Sequence, residues 1–296
     1  MRWRWKTLII IATVLVTAFL GISAYLGHTM TTVKRVPIQG SPADLGLQYQ
    51  DVSFQSRTDN LTLRGWLIPS GNSREIIIIV HGSDENRADP SIDTLGIAAA
   101  LAGHDYSVLM FDLRGHGESG GSKFSAGYYE KRDLLGAVDF VKGRGYRSTG
   151  VLGFSMGAAT AIFAAAEDDD IDCIVADSCY ADITEIMKRE FSARTRFPGF
   201  FLSPVLFTVK LFYGVDFPAV KPVAVVPEIA PRPILFIHGA DDTFLPPDHA
   251  ARLLAAADNP ADELWIVPGA EHVKSYVTNR QEYIDRITAF FDAVLK

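Results

Sequence analysis

Cysteine is scarce in this 296-residue chain: the two present, Cys173 and Cys179, cannot make a disulfide framework. Cys173 falls in an apolar run that reads as a strand, where six residues of extended chain would hold the sulfurs ~20 Å apart, so both are expected to be free thiols. Basic charge is short as well. Lys plus Arg total 28 against 35 Asp plus Glu, a net charge of −7, so no broad cationic field exists to hold a phosphate backbone and no nucleic-acid partner is expected. No GxGxxG joins a strand directly to a helix, no GxxxxGK[ST] occurs, and His81, His116 and His238 belong to three different strand ends without HxxxH-type spacing. Dinucleotide, P-loop and metal readings therefore lack support. Internal repeats and low-complexity tracts are missing too. What is present, 48% hydrophobic residues with 24 Gly and 15 Pro, can bury a sizeable core and excludes wholesale disorder or collagen-like repetition.

One long hydrophobic run stands at the N-terminus. Residues 7–27 carry no charged side chain, and as a helix they would span ~31 Å, close to the hydrocarbon thickness of a bilayer. Arg2, Arg4 and Lys6 precede them, with Trp3 and Trp5 placed for an interface, while Lys34 and Arg35 follow. This predicts a basic flank over 1–6 and a single-pass, uncleaved anchor in the cell membrane. The three-to-two basic bias puts the N-terminus in the cytosol and the rest outside it. A signal peptide ending near Ile22-Ser23-Ala24 is the competing reading, but its apolar region would exceed the usual length of roughly 7–15 residues.

Residues 28–47, with Pro37, Gly40, Pro42 and Gly46, read as a linker, and one α/β domain is expected over 48–296. Its start, 49–55 and 61–68, looks like a hairpin, followed by an apolar strand at 75–80. Helix 91–101, strand 106–111, helix 128–142, strand 149–152, helix 156–166 and strand 171–176 then alternate, as a parallel sheet with helical crossovers requires. The rhythm breaks at 183–229, where five prolines and two or three helical patches read as an insertion over the sheet's edge. Strand 233–237, helix 248–257, strand 263–267 and one helix over 276–294 close the chain, for eight strands in all.

Gly153-Phe154-Ser155-Met156-Gly157 is G-x-S-x-G between an apolar strand and an alanine-rich helix, the context that gives this motif meaning. A strand that turns at once into a helix forces Ser155 into a strained backbone, and the flanking glycines let the chain pass closely. The hydroxyl is then presented at a helix N-terminus, where N–H groups and the helix dipole favour developing negative charge. Such a serine needs a base, and the base needs a partner that fixes its tautomer. His272, in the loop Pro268-Gly269-Ala270-Glu271-His272, follows the last strand at the carboxyl edge where sites in open α/β sheets collect. His28, His104 and His249 occupy positions that read as structural or solvated. The acid falls between nucleophile and base in chain order, and Asp241 and Asp242, after His238-Gly239-Ala240, both qualify.

With Val80-His81-Gly82, Phe111-Asp112-Leu113-Arg114-Gly115-His116-Gly117-Glu118-Ser119 and His238-Gly239-x-x-Asp242-x-x-Leu245-Pro246, the sequence resembles the serine-hydrolase branch of the α/β-hydrolase superfamily over about residues 49–294. Within it, the pattern is similar to membrane-tethered bacterial esterase- and lipase-like hydrolases. The resemblance implies a mostly parallel sheet with helices on both faces and a helical lid at 183–229. It selects Asp242 as acid, giving Ser155, Asp242 and His272, with Asp241 as fallback and Asp177 as a further candidate because some members take their acid after the sixth strand. It places an oxyanion hole at the backbone N–H groups of Ser83 and Met156, makes His81 and His116 structural loop residues, and calls for no cofactor. Arg114 and Glu118 are expected to brace a loop.

The implied function is a serine hydrolase acting on a carboxylic ester or thioester through an acyl-enzyme, with a small-molecule or lipid-like acyl substrate. The apolar segment 197–207 suggests an acyl or aromatic group beneath it, although packing of a lid helix explains the same residues. An acyltransferase or peptidase using the same triad, and a membrane-anchored binding protein without activity, are the other classes. Oligomeric state does not follow from the sequence.

Overall fold

A computed structural model describes residues 2–71 and 73–296; Met1, at the head of the expected basic flank, and Asn72 lie outside it. Eight strands form one sheet: β1 (Gln50–Gln55), β2 (Thr62–Ile68), β3 (Glu75–Val80), β4 (Ser107–Phe111), β5 (Ser148–Phe154), β6 (Cys173–Asp177), β7 (Ile234–Gly239) and β8 (Glu263–Val267), in the order β1-β2-β4-β3-β5-β6-β7-β8. β2 runs antiparallel to β1 and β4, and every later pairing is parallel. Crossover helices cover both faces, which is why β3, β4, β5 and β6 are apolar and buried almost throughout rather than alternating. The helices are α1 (Arg2–Thr31), α2 (Thr94–Gly103), α3 (Glu130–Gly143), α4 (Met156–Ala165), α5 (Ile183–Thr195), α6 (Leu202–Tyr213), α7 (Pro222–Val225), α8 (Asp248–Ala257), α9 (Ser275–Thr278) and α10 (Arg280–Leu295). This is the α/β-hydrolase fold, and the strand and helix order expected from the alternation is the order found.

The structure refines the expectations at three places. The linker expected over 28–47 is fastened to the domain: α1 continues to Thr31, Thr32 bridges Lys123, and the Arg35 guanidinium donates to the carbonyls of His116, Gly117, Ser119 and Gly121. A guanidinium carries five donors in a fixed fork, and four loop carbonyls converge on it. The closing helix expected over 276–294 is broken at Asn279, whose φ of −143° and ψ of 68° leave the helical region. Of the two readings of the apolar segment 197–207, helix packing is the one its inward side chains show. Phe201 packs on Phe19 of α1 with ring centroids 4.7 Å apart, Leu202 and Val205 are buried, and Phe200 and Phe207 point outward.

The residues from Trp3 to Thr31 form a helix long and apolar enough to cross a membrane, with mean hydropathy 2.4. Its C-terminal third meets α6. Ser23 and Gly27, four residues apart, present a small-residue face: the Thr208 hydroxyl donates to the Ser23 carbonyl at 3.2 Å, and a Cβ on Gly27 would come within 2.8 Å of the Val209 side chain. Cys173 and Cys179 are both buried and free, as the sequence suggested.

Packing of α3 on the hairpin yields a test in which local propensity and packing disagree. A Cβ on Gly136 would sit 2.2 Å from the Gln55 carbonyl oxygen, whereas one on Gly143 of the same helix meets nothing within 4 Å. Alanine ordinarily favours a helix over glycine. Gly136→Ala should nevertheless lower stability by about 1–3 kcal/mol, while Gly143→Ala should leave it unchanged or raise it, as read by thermal unfolding in detergent; equal effects would contradict this packing.

Candidate active site

The sheet gathers the ends of β3, β5, β6, β7 and β8 at its carboxyl edge. Ser155 leaves β5 with φ 50° and ψ −110°, a positive φ for a residue with a Cβ, and Met156 opens α4 directly. The neighbours allow nothing else: a Cβ on Gly153 would lie 2.5 Å from the Gly157 carbonyl oxygen, and one on Gly157 would lie 2.1 Å from that of Val80. The strained turn is thus wedged between its own helix and β3. Met156, buried at the first turn of α4, has a backbone N–H that no intrahelical acceptor can reach. The β3 loop passes beside it, since a Cβ on Gly82 would be 3.7 Å from the Ser155 Cβ, and Ser83 follows as an exposed turn residue.

His272 reaches this serine from the β8 loop. A Cβ on Gly239 would be 2.3 Å from the Ala270 carbonyl, so the absent side chain lets the 270–271 backbone lie against the end of β7. His272 Nε2 is 3.1 Å from Ser155 Oγ, and its Nδ1 is 2.6 Å from Asp242 Oδ2. A carboxylate can only accept, so Nδ1 carries the proton and donates to Asp242, leaving Nε2 to accept from the serine hydroxyl. Val273, with φ 52°, is a strained β-branched residue directly after the histidine, and its N–H donates to Ser178 Oγ at 3.1 Å.

Of the three aspartates singled out from sequence, Asp242 alone is joined to His272. Asp241 is exposed, its N–H donating to the Ala270 carbonyl. Asp177 is fully buried; one carboxyl oxygen accepts from Ser178 Oγ at 2.8 Å and the other from Tyr283 Oη at 3.1 Å, behind the histidine loop. Asp242 is buried too, and burial alone would raise its pKa. Hydrogen bonds from His238 and His272, with the Leu245 N–H at 2.6 Å, outweigh it and hold the carboxyl well below its usual range. It is therefore an anion at neutral pH.

His238 is the site residue the sequence reading undervalued. Its Nε2 lies 2.7 Å from the Leu245 carbonyl and 3.3 Å from Asp242 Oδ2, both acceptors, so this nitrogen carries a proton and the ring is a second donor to the acid. Burial would lower its pKa, but Asp242 and the Leu245 carbonyl raise it. The spacing His238-x-x-x-Asp242 was the available signal, legible as a motif without a contact attached to it. Phe244 was also missed. Its ring packs edge-on against His272, with centroids 4.9 Å apart, and Arg189 and Arg194 of α5 lie over the same ring at 5.8 and 5.7 Å.

His81 and His249 are held by backbone groups away from Ser155. His81 Nδ1 donates to the Gly82 carbonyl at 2.7 Å, its Nε2 accepts from the Leu113 N–H, and burial beside His116 pushes its pKa down to about 3. His249 accepts from the Ala181 N–H. Glu118 pairs with Arg87, which also pairs with the buried Asp112, and Arg114 pairs with Asp59 and Asp133; both brace loops. Among the described residues no cluster of three or more His, Cys, Asp or Glu could hold a metal ion.

This chain belongs to the α/β-hydrolase superfamily. The family model described as serine aminopeptidase, S33, matches residues 71–210. The uncharacterized protein YqkD of Bacillus subtilis is 33% identical over 235 residues, covering 78% of this chain and 75% of the relative. The alpha/beta hydrolase domain-containing protein WAV2 of Arabidopsis thaliana is 26% identical, over 84% of this chain and 80% of its own length. Among solved structures, the Pyrococcus furiosus esterase Pf2001 superposes with a TM-score of 0.76 at 28% identity, covering 90% of this chain and 98% of the esterase. The chain is a hydrolase by family.

Burial pushes the Asp177 carboxyl up from 3.8 to about 6, against the opposing hydrogen bonds from Ser178 and Tyr283. Between those values the unfolded chain loses its proton first, so this group makes stability fall as pH rises, by up to roughly 3 kcal/mol. Asp177→Asn removes that dependence. The stability of the variant relative to the parent, measured by urea unfolding, should improve from about pH 4 to about pH 7; parallel pH curves would contradict a buried, proton-holding Asp177.

Proposed function

We propose that this protein is a serine hydrolase that cleaves a carboxylic ester or thioester, with Ser155 as nucleophile, His272 as base and Asp242 as its orienting acid. The observation that carries the reading is the unbroken chain from Ser155 Oγ through His272 to Asp242, at 3.1 and 2.6 Å, on a strained turn at a helix N-terminus. His272 Nε2 takes the hydroxyl proton as Oγ attacks the acyl carbon. The oxyanion accepts from the backbone N–H groups of Met156 and Ser83. Collapse expels the alcohol or thiol, protonated by His272, and leaves an acyl group on Ser155. Water, deprotonated by the same nitrogen, then releases the carboxylic acid. Asp242, held as an anion, keeps the proton on Nδ1 and stabilises the imidazolium. No step calls for a cofactor.

The likeness to an esterase at 28% identity favours ester chemistry. The name of the matched family model favours peptide-bond cleavage as the second reading. Turnover of p-nitrophenyl butyrate against an aminoacyl p-nitroanilide separates the two. We further propose residues 7–27 as a membrane anchor with the domain over 48–296 on the extracytoplasmic side, and 183–229 as its lid. Cleavage near Ala24 would remove Phe19 and Ser23, which contact Phe201 and Thr208 in and beside α6, and this supports an anchor over a cleaved leader.

Ser155→Ala should abolish both ester hydrolysis and labelling by a fluorophosphonate probe while leaving the thermal midpoint nearly unchanged. Retained labelling would exclude Ser155 as the nucleophile. Asp242→Asn should cost up to ~10⁴-fold in turnover, because the productive tautomer is lost while the shape is kept, and Asp241→Asn should stay near the parent; a severe loss at Asp241 with a mild one at Asp242 would reassign the acid.

A further inference from the structure

We infer that the outer face of α6 is a lipid-facing surface, embedded in the acyl chains of the leaflet beside α1. Residues 197–209 contain no Asp, Glu, Lys or Arg. Their continuation outward is a strip of large apolar side chains: Phe200, Phe207, Leu211 and Phe212 are 67%, 62%, 64% and 63% exposed. Soluble surfaces scatter such residues singly, whereas a contiguous strip marks a contact.

The position of α6 decides what covers it. The helix runs alongside the apolar stretch of α1 in the same direction: Phe200 and Phe201 stack with Phe19, Thr208 binds the Ser23 carbonyl, Val209 fits the gap at Gly27, and Tyr213 Oη is 2.8 Å from His28 Nδ1. The start of α6 therefore lies level with Phe19, inside the uncharged stretch rather than beyond its end. If residues 7–27 occupy the bilayer, α6 shares their depth. The approach through Ser23 and Gly27 is the small-residue packing that membrane helices use, where apolar burial from water gives no driving force.

The charge at the outer end of the strip agrees: Lys210, one turn before Tyr213 and its contact with His28, pairs with Asp216 where the uncharged stretch ends, and a basic side chain there reaches lipid phosphates. Arg194, at the end of α5 just before this arm, lies over Phe244, which packs on His272, so the candidate site adjoins the arm.

The test uses the full-length chain in vesicles of phosphatidylethanolamine and phosphatidylglycerol, spin-labelled at a cysteine introduced by Phe207→Cys or Leu211→Cys, with Cys173 and Cys179 left buried. Val14→Cys on α1 reports the bilayer interior, and the exposed Ala261→Cys reports water. Collision rates are read with oxygen, which concentrates in lipid, and with a nickel chelate, which does not enter it. Positions 207 and 211 should follow Val14, with oxygen dominating, in reversal of Ala261; either position suffices should the other variant fail to insert. A lipid reading at Val14 with a water reading at 207 or 211 overturns the surface alone, and water at Val14 as well overturns the anchor with it. Exclusion of both reagents, with dipolar broadening between labels, would assign the strip to a second copy of this chain and also overturn the proposal.

Discussion

The site hangs on one steric constraint, the closure of the β5–α4 turn against β3. With a Cβ on Gly157 only 2.1 Å from the Val80 carbonyl oxygen, and one on Gly153 similarly close to that of Gly157, the backbone has one way to turn. That way leaves Ser155 at φ 50° with its hydroxyl over the helix N-terminus. Strain of this kind costs stability and persists only where the surroundings over-determine it. Here they do, because β3, β5 and α4 are among the most completely buried elements of the molecule. The Ser155 N–H to Asp177 carbonyl bond, at 2.9 Å, ties the turn to β6 as well.

Two buried aspartates at the same edge are treated in opposite ways. Asp242 receives two imidazoles and a backbone N–H, and stays an anion in spite of its burial. Asp177 has hydroxyl donors only, and burial prevails. Environments that push two carboxyls apart are a way to assign roles to them. The anion faces the histidine that faces the serine, while the other acid fastens the loop from behind through Ser178 and Val273. His238 belongs to this division, since it adds a donor to Asp242 that the sequence motif conceals.

Much of this was legible in the chain itself, and the reasons are local. Apolar strands, alanine-rich helix α4 and the G-x-S-x-G spacing are short-range patterns; His272 stood out by its loop after the last strand, and the resemblance these patterns carried selected Asp242. The failures are long-range. Arg35 looks like a polar linker residue until four carbonyls from the 116–121 loop converge on it. The apolar run at 197–207 looks like the ceiling of a pocket, but nothing in its spacing says that Phe201 meets Phe19, some 180 positions earlier. The break at Asn279 escapes notice because the apolar period continues across it. The pairing of α1 with α6 was the largest omission, and it makes the apolar N-terminal helix and part of the 183–229 insertion one packed unit.

Covalent chemistry at the strained serine is the centre of this account. The direct measurement is mass spectrometry of the protein acid-quenched within its first turnover of p-nitrophenyl butyrate. A butyryl group on the peptide that contains Ser155, appearing with a burst of nitrophenol and decaying as turnover proceeds, is the predicted result. Turnover with the Ser155 peptide unmodified throughout, or with the acyl group on another residue, would contradict it.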